Sequence, residues 1–207
     1  MPSQAPKQSV DSRGRPPKEG LRDHLLMHTL QVLIRDGYDR FSMVAVAKSA
    51  RASKETLYRY FCDKAGLLAA AMSYLGQMVE PIVISGLHDD LSREARLQQL
   101  AENYLQGCLL PESLTLQRIA YASGDTDLGQ MFAQQFTQAV HRLLTQEMSM
   151  LSTPNPELDA EVFLGMVQGQ LHEKALLGTA VQKDAAACKK VTEHAVRIFT
   201  AYLDSSA

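Results

Sequence analysis

From Lys18 onward the apolar residues of this chain fall at helical spacing, and that periodicity constrains its fold more than any other property. Leu26, Leu30 and Leu33 recur at i, i+4 and i+7, which places them on one face of a helix. No stretch alternates apolar and polar residues with the period of two that a half-buried strand requires. The pattern predicts an all-α protein, and 207 residues are enough for a real core.

Punctuation residues divide the pattern. Gly37 is a C-cap signal. Ser42, Ser53 and Asp63 each precede a helical run, and their short oxygen-bearing side chains suit the N-cap position. The first 80 residues therefore read as helix, helix, tight turn, helix, helix. Ser92, Pro111, Asp125, Pro154, Pro156 and Asp184 punctuate the remainder and predict helices over 92–109, 112–123, 127–151, 157–178 and 184–203. Residues 1–17, MPSQAPKQSVDSRGRPP, have too little apolar surface to offset the entropy of ordering, so a disordered basic arm is expected there.

Other classes are set aside by what the sequence holds. It has no apolar run of about 18 residues and no apolar segment of the secretory type at its start, so neither a membrane span nor export is expected. Cys62, Cys108 and Cys188 are odd in number and far apart, which fits a reducing cytoplasm better than a disulfide framework or a zinc site. His24 and His28 have the i, i+4 spacing of a metal pair, but no third ligand accompanies them. There is no phosphate-binding loop, no nucleophile elbow and no placed pair of carboxylates. No enzyme activity, metal or cofactor is expected.

Charge is distributed unevenly. Residues 1–64 carry 12 Lys and Arg against 7 Asp and Glu, whereas residues 65–207 carry 9 against 16. A net of +5 followed by a net of -7 points to a nucleic-acid-facing segment joined to a part with other work. Residues 53–64, SKETLYRYFCDK, sharpen the point. Leu57 and Phe61 would hold a short helix to the core while Lys54, Thr56, Arg59 and Tyr60 stay exposed. Such a helix fits a DNA major groove, and its N-terminal amides favour phosphate. Tyr58 and Tyr60 offer hydroxyls to phosphate oxygens, and Lys64 adds a point charge.

The stretch 44–68, VAVAKSARASKETLYRYFCDKAGLL, resembles the DNA-binding signature of the TetR family of transcriptional regulators. The matching residues are Tyr58, Tyr60, Phe61, Lys64, Leu67 and Leu68. The resemblance implies a three-helix helix-turn-helix domain over 18–64 and a larger helical effector-binding and dimerisation domain over 65–207. It implies a homodimer on double-stranded operator DNA, with Ser42, Arg51, Ser53, Lys54, Thr56, Tyr58, Arg59, Tyr60 and Lys64 at the contact. Arg51 departs from the pattern, standing where the family usually has Gly. A left-handed backbone at Arg51 would cost about 1–2 kcal/mol against Gly, with a cation gained beside the DNA. Ahead of this domain, the RGRP of residues 13–16 resembles an AT-hook core, which makes Arg13 and Arg15 minor-groove candidates.

In the larger part, Leu128, Phe132, Phe136, Val140 and Leu144 make a helical stripe. Such a stripe is core first; as a ligand site, Phe132, Phe136, Tyr104 and Met166 would line a cavity for a small apolar or amphipathic effector. The segment SLTLQRIAYASGDTDLGQMFAQQF loosely resembles the C-terminal regions of efflux-pump repressors in the family. Gly165 and Gly169, four apart, allow close helix approach. With Val191, Ala195, Ile198, Phe199 and Tyr202 they form the expected dimer surface, two helices from each subunit. The function expected is a sequence-specific repressor released by an effector. Two rivals stand beside it: an architectural protein of A·T-rich DNA, and an all-α small-molecule-binding protein without DNA function.

Overall fold

The computed structural model describes residues 20–122, 126–179 and 185–205. These residues are helical, with no strand among them. Helix α1 runs Leu21–Arg40 and buries Leu25, Leu26, Leu30 and Leu33, the face that the periodicity marks. Gly37 interrupts it at φ 74°, a left-handed conformation that suits glycine at a helix end. Helix α2 spans Met43–Ser49 and α3 spans Lys54–Phe61. Helix α4, Lys64–Val83, is the long element that leaves this N-terminal cluster.

The N-caps form as the sequence predicts. Ser42 Oγ accepts from the Ala45 amide at 3.2 Å, Ser53 Oγ from the Thr56 amide at 3.0 Å, and Asp63 Oδ1 from the Gly66 amide at 2.8 Å. Each satisfies an amide that the helix leaves unpaired, worth about 1 kcal/mol relative to alanine. Gly66 is required by packing as well: a Cβ there would collide with the Phe61 carbonyl oxygen.

The larger part follows as α5 (Arg93–Cys108), α6 (Pro111–Ala122), α7 (Thr126–Phe132), α8 (Gln138–Met150), α9 (Pro156–Leu176) and α10 (Ala185–Ser205). One expectation is modified. The helix read over 127–151 contains a π-helical turn at Ala133–Thr137, between α7 and α8. Helix α9 is also broken, at Gly169, with φ 44° and ψ -156°.

A single cluster of buried apolar side chains runs from Leu25 in α1 to Leu203 in α10. Helix α4 serves both ends of it, with Leu67 and Leu68 near its start and Leu75, Val79 and Val83 further along, all at most 1% exposed. By length and composition α4 could cross a bilayer; its apolar residues instead lie in this core. Asn103 Nδ2 ties down the far end of α4 by donating to the carbonyls of Val83 and Ser85 at 3.0 and 2.7 Å. Arg118 does the same for α9, donating to the carbonyls of Ala175 and Leu176 at 2.6 and 2.7 Å.

Candidate nucleic-acid interface and effector cavity

Helices α2 and α3 meet through a turn of four residues. The Ala52 amide donates to the Ala47 carbonyl at 2.9 Å, and Arg51 takes φ 51°. The left-handed conformation considered for Arg51 is therefore adopted, without a glycine to relieve it. Helix α3 is held by Leu57 and Phe61, 0% and 4% exposed. Burying two such side chains contributes roughly 1.5–3 kcal/mol each. The outward face carries Arg51, Ser53, Lys54, Tyr58 and Arg59, all exposed, with Thr56 half-buried beside them. A rigid helix showing a cationic, hydroxyl-bearing face is suited to the major groove.

Two residues are placed differently from expectation. Tyr60 is half-buried and its hydroxyl is covered, without a hydrogen-bond partner among the described residues. Its ring packs 5.9 Å from that of Phe61, so Tyr60 presents an inward ring and not a free hydroxyl. Lys64 Nζ sits 4.3 Å from the centre of the Tyr38 ring and 5.5 Å from that of Phe41. This cation–π contact holds the ammonium on an aromatic ledge at the start of α4. The candidates Arg13 and Arg15 lie outside the described residues.

The two histidines of α1 prove to be a clamp. His24 Nε2 donates to the Ala50 carbonyl at 3.1 Å, and His28 Nδ1 lies 3.0 Å from Ser49 Oγ. The rings meet edge to face at 4.5 Å. They join α1 to the last turn of α2 and so orient the helix that precedes the turn. Burial, then the neighbouring His24, holds the His28 pKa below its ordinary value. No group of three metal-ligating side chains occurs among the described residues. Exposed Lys48, at the end of α2, joins the cationic face and was missed in the sequence, where it read as part of a small-residue helix.

Beyond the head, α5, α6, the α7–α8 helix and α9 enclose a cavity of about 590 Å³. Tyr104, Phe132 and Phe136 line it, as expected. The Phe132 and Phe136 ring centres are 5.2 Å apart, and the π-helical turn supplies Phe136 and Thr137. Met166 does not line this cavity; it lies on the opposite side of α9 beside Ile198. Gln117, Tyr121 and Gln168 complete the polar lining. Tyr104 and Cys108 are buried, and burial pushes the tyrosine well above its usual pKa and the thiol to about 11. Both are neutral at pH 7.

The expected dimer residues divide between two faces. Ala195 and Phe199 are 4% and 1% exposed and point into the protomer, with Phe199 5.0 Å from the Phe163 ring. Spacing of four in a helix of 3.6 residues per turn keeps 195 and 199 on the inward face, whereas 198 and 202 lie about a third of a turn away. Ile198 and Tyr202 are 48% and 42% exposed, beside Leu158 and Val162 of α9 at 52% and 47%. Val191 is half-buried; a Cβ at Gly165 or Gly169 would meet nothing within 4 Å, and Gly165 lines the cavity.

Comparisons with known proteins agree with this geometry. A family model for bacterial regulatory proteins of the tetR family matches residues 25–71. A model for the C-terminal domain of AefR-like transcriptional repressors matches residues 95–203. The DNA-binding transcriptional repressor TetR of Mycobacteroides abscessus is 62% identical over 48 residues, or 23% of this chain and 25% of that protein. The chain thus spans a quarter of that relative's length. A solved Mesorhizobium loti MAFF303099 protein assigned to the TetR-family regulators superposes with a TM-score of 0.78 at 24% identity. The flavonoid-responsive regulator FrrA superposes with a TM-score of 0.66 at 25% identity. Each superposition covers 88% of this chain and 96% of the other.

Proposed function

The chain belongs to the TetR family of bacterial regulatory proteins, and from that premise we propose that it is a homodimeric, sequence-specific repressor released by a small molecule. Residues 18–64 are the DNA-binding domain and residues 65–207 the effector-binding and dimerisation domain. The observation that carries this is α3, anchored by Leu57 and Phe61 and exposing Lys54, Tyr58 and Arg59. Each recognition helix enters a major groove, with half-sites about one helical turn, 10 bp, or somewhat more apart. The match to an AefR-like repressor domain supports repression over activation. The protein acts in the cytoplasm, where the operator is.

The exposed apolar residues Leu158, Val162, Ile198 and Tyr202 on α9 and α10 are the dimer surface. An effector in the cavity acts through α4, whose backbone is near the π-helical turn at Gly76: a Cβ there would lie 3.2 Å from the Gln135 carbonyl oxygen. A coupling of about 1–3 kcal/mol is enough to shift the population toward a state with mis-spaced heads. The responsiveness of FrrA to flavonoids supports a ligand-responsive reading here.

Selection of binding sites from a random DNA pool, with the full chain at physiological salt, tests the proposal. It should enrich a near-palindrome, and Tyr58→Phe and Lys64→Ala should each weaken binding to it across sequences. The lysine change should lower the salt slope by about one. Enrichment of A·T content without symmetry would favour the architectural alternative, led by Arg13 and Arg15. Absence of any sequence-dependent binding would leave only a small-molecule-binding protein.

A further inference from the structure

Lys64 is the first residue of α4 and follows closely on the end of α3 at Phe61. That is an unfavourable place for a cation, because the N-terminus of a helix carries the positive end of its dipole. No ion pair offsets the cost: among the described residues Lys64 forms none. The neighbouring Asp63 carboxylate is engaged as the N-cap, accepting from the Gly66 amide.

What holds the ammonium is aromatic. Its Nζ lies 4.3 Å from the centre of the Tyr38 ring and 5.5 Å from that of Phe41. The two rings stack, with planes 24° apart. Phe41 is buried, and half-buried Tyr38 packs against the same core. The Phe41 amide donates to the Tyr38 carbonyl at 3.1 Å, closing the turn at the end of α1 that carries both rings.

A ring and a carboxylate differ as partners for a lysine that must meet phosphate. A carboxylate would hold the ammonium and cancel its charge. A ring attracts it through the electron density of its face and leaves the charge whole. The ammonium has three N–H donors, and a ring face covers only its near side, so donors remain for a phosphate oxygen. A free lysine loses much of its side-chain freedom on meeting phosphate, whereas one already held on a ring has lost it beforehand.

We propose that Tyr38 and Phe41 are positioning residues of the DNA contact: their rings hold the Lys64 ammonium, its charge uncancelled, ready for a phosphate beside α3. The proposal rests on the DNA-binding reading above and gives the end of α1 a part in it.

The test replaces residue 38 in the full chain, with and without Lys64→Ala. Binding is measured to a fluorescein-labelled duplex of mixed sequence, about 30 bp long, at about 50 mM salt, where phosphate contacts dominate. Tyr38→Phe should bind within about twofold of the parent, and Tyr38→Leu about three- to fivefold more weakly. In the Lys64→Ala background that difference should vanish. Phenylalanines at position 38 carrying one, two and three ring fluorines keep nearly the same shape and lose electron density from the face. They should weaken binding stepwise, a trend that packing alone does not produce. The same series at Phe41 should act less, since that ring is farther from Nζ. Indifference to fluorination, tighter binding by Tyr38→Leu, or an undiminished Tyr38→Leu effect without Lys64 would overturn the proposal. A parent that binds the duplex but ignores the ring's electron density sinks the positioning role alone. A parent that does not bind the duplex sinks the DNA-binding reading, and the positioning role with it.

Discussion

At the scale of residues, the recognition turn carries a conflict between stability and charge. Arg51 holds a left-handed backbone at φ 51° and is exposed immediately before α3. Glycine would adopt that conformation at no steric cost, so Arg51→Gly should raise unfolding stability by about 1 kcal/mol in urea titration. The same change should weaken operator binding and flatten its salt dependence, since a cation beside the phosphates is lost. A variant that is more stable but binds DNA as well as the parent would show that the arginine makes no contribution to the operator contact. This position was legible in the sequence as a departure from a pattern. The inward turn of Tyr60 was not, because α3 residues 57, 60 and 61 all lie near its buried edge and only packing decides how far each is covered.

At the scale of elements, the helices are joined by a few polar contacts in an apolar interior. Arg96 of α5 donates through Nε to Glu147 Oε2 of α8 at 2.8 Å, and the two side chains are 11% and 7% exposed. Arg96 also donates to the His88 carbonyl at 3.2 Å. Removing one partner of such a pair strands the other charge, so Glu147→Ala should cost about 3 kcal/mol in chemical denaturation. The double replacement Arg96→Met with Glu147→Leu should recover most of that loss, because it removes both charges and keeps the volume. A double variant as unstable as the single one would contradict this account. Element positions were well read from caps and periodicity, because both are local. The π-helical turn at Ala133–Thr137 was not, since periodicity runs through it with one residue of phase slip. The kink at Gly169 was likewise hidden, as the same Gly-x-x-x-Gly spacing suits a straight helix in close contact.

At the scale of the whole molecule, the proposed repressor function depends on two heads held at one spacing. Exposed Ile198 and Val162 lie on the proposed two-fold surface, while Ala195 and Phe199 belong to the protomer's own core. Ile198→Glu should therefore yield a folded monomer by sedimentation, with operator affinity reduced at least a hundredfold because one half-site is lost. Phe199→Ala should instead lower stability by about 3–5 kcal/mol through a core cavity, without a direct effect on assembly. A dimer that survives Ile198→Glu would move the interface elsewhere.

What the sequence by itself determined were the properties written within one or two helical turns. They are the all-helical class, the caps at Ser42, Ser53 and Asp63, the basic bias of the first 64 residues, and the motif of α3 with Leu57 and Phe61 as its anchors. The tertiary structure alone decided which faces meet. It turned Ala195 and Phe199 inward, put Met166 outside the cavity, made His24 and His28 a clamp, and left the Gln117 amide in the cavity wall. Residues far apart in the chain set these outcomes, and no local spacing encodes which neighbour a helix face will find.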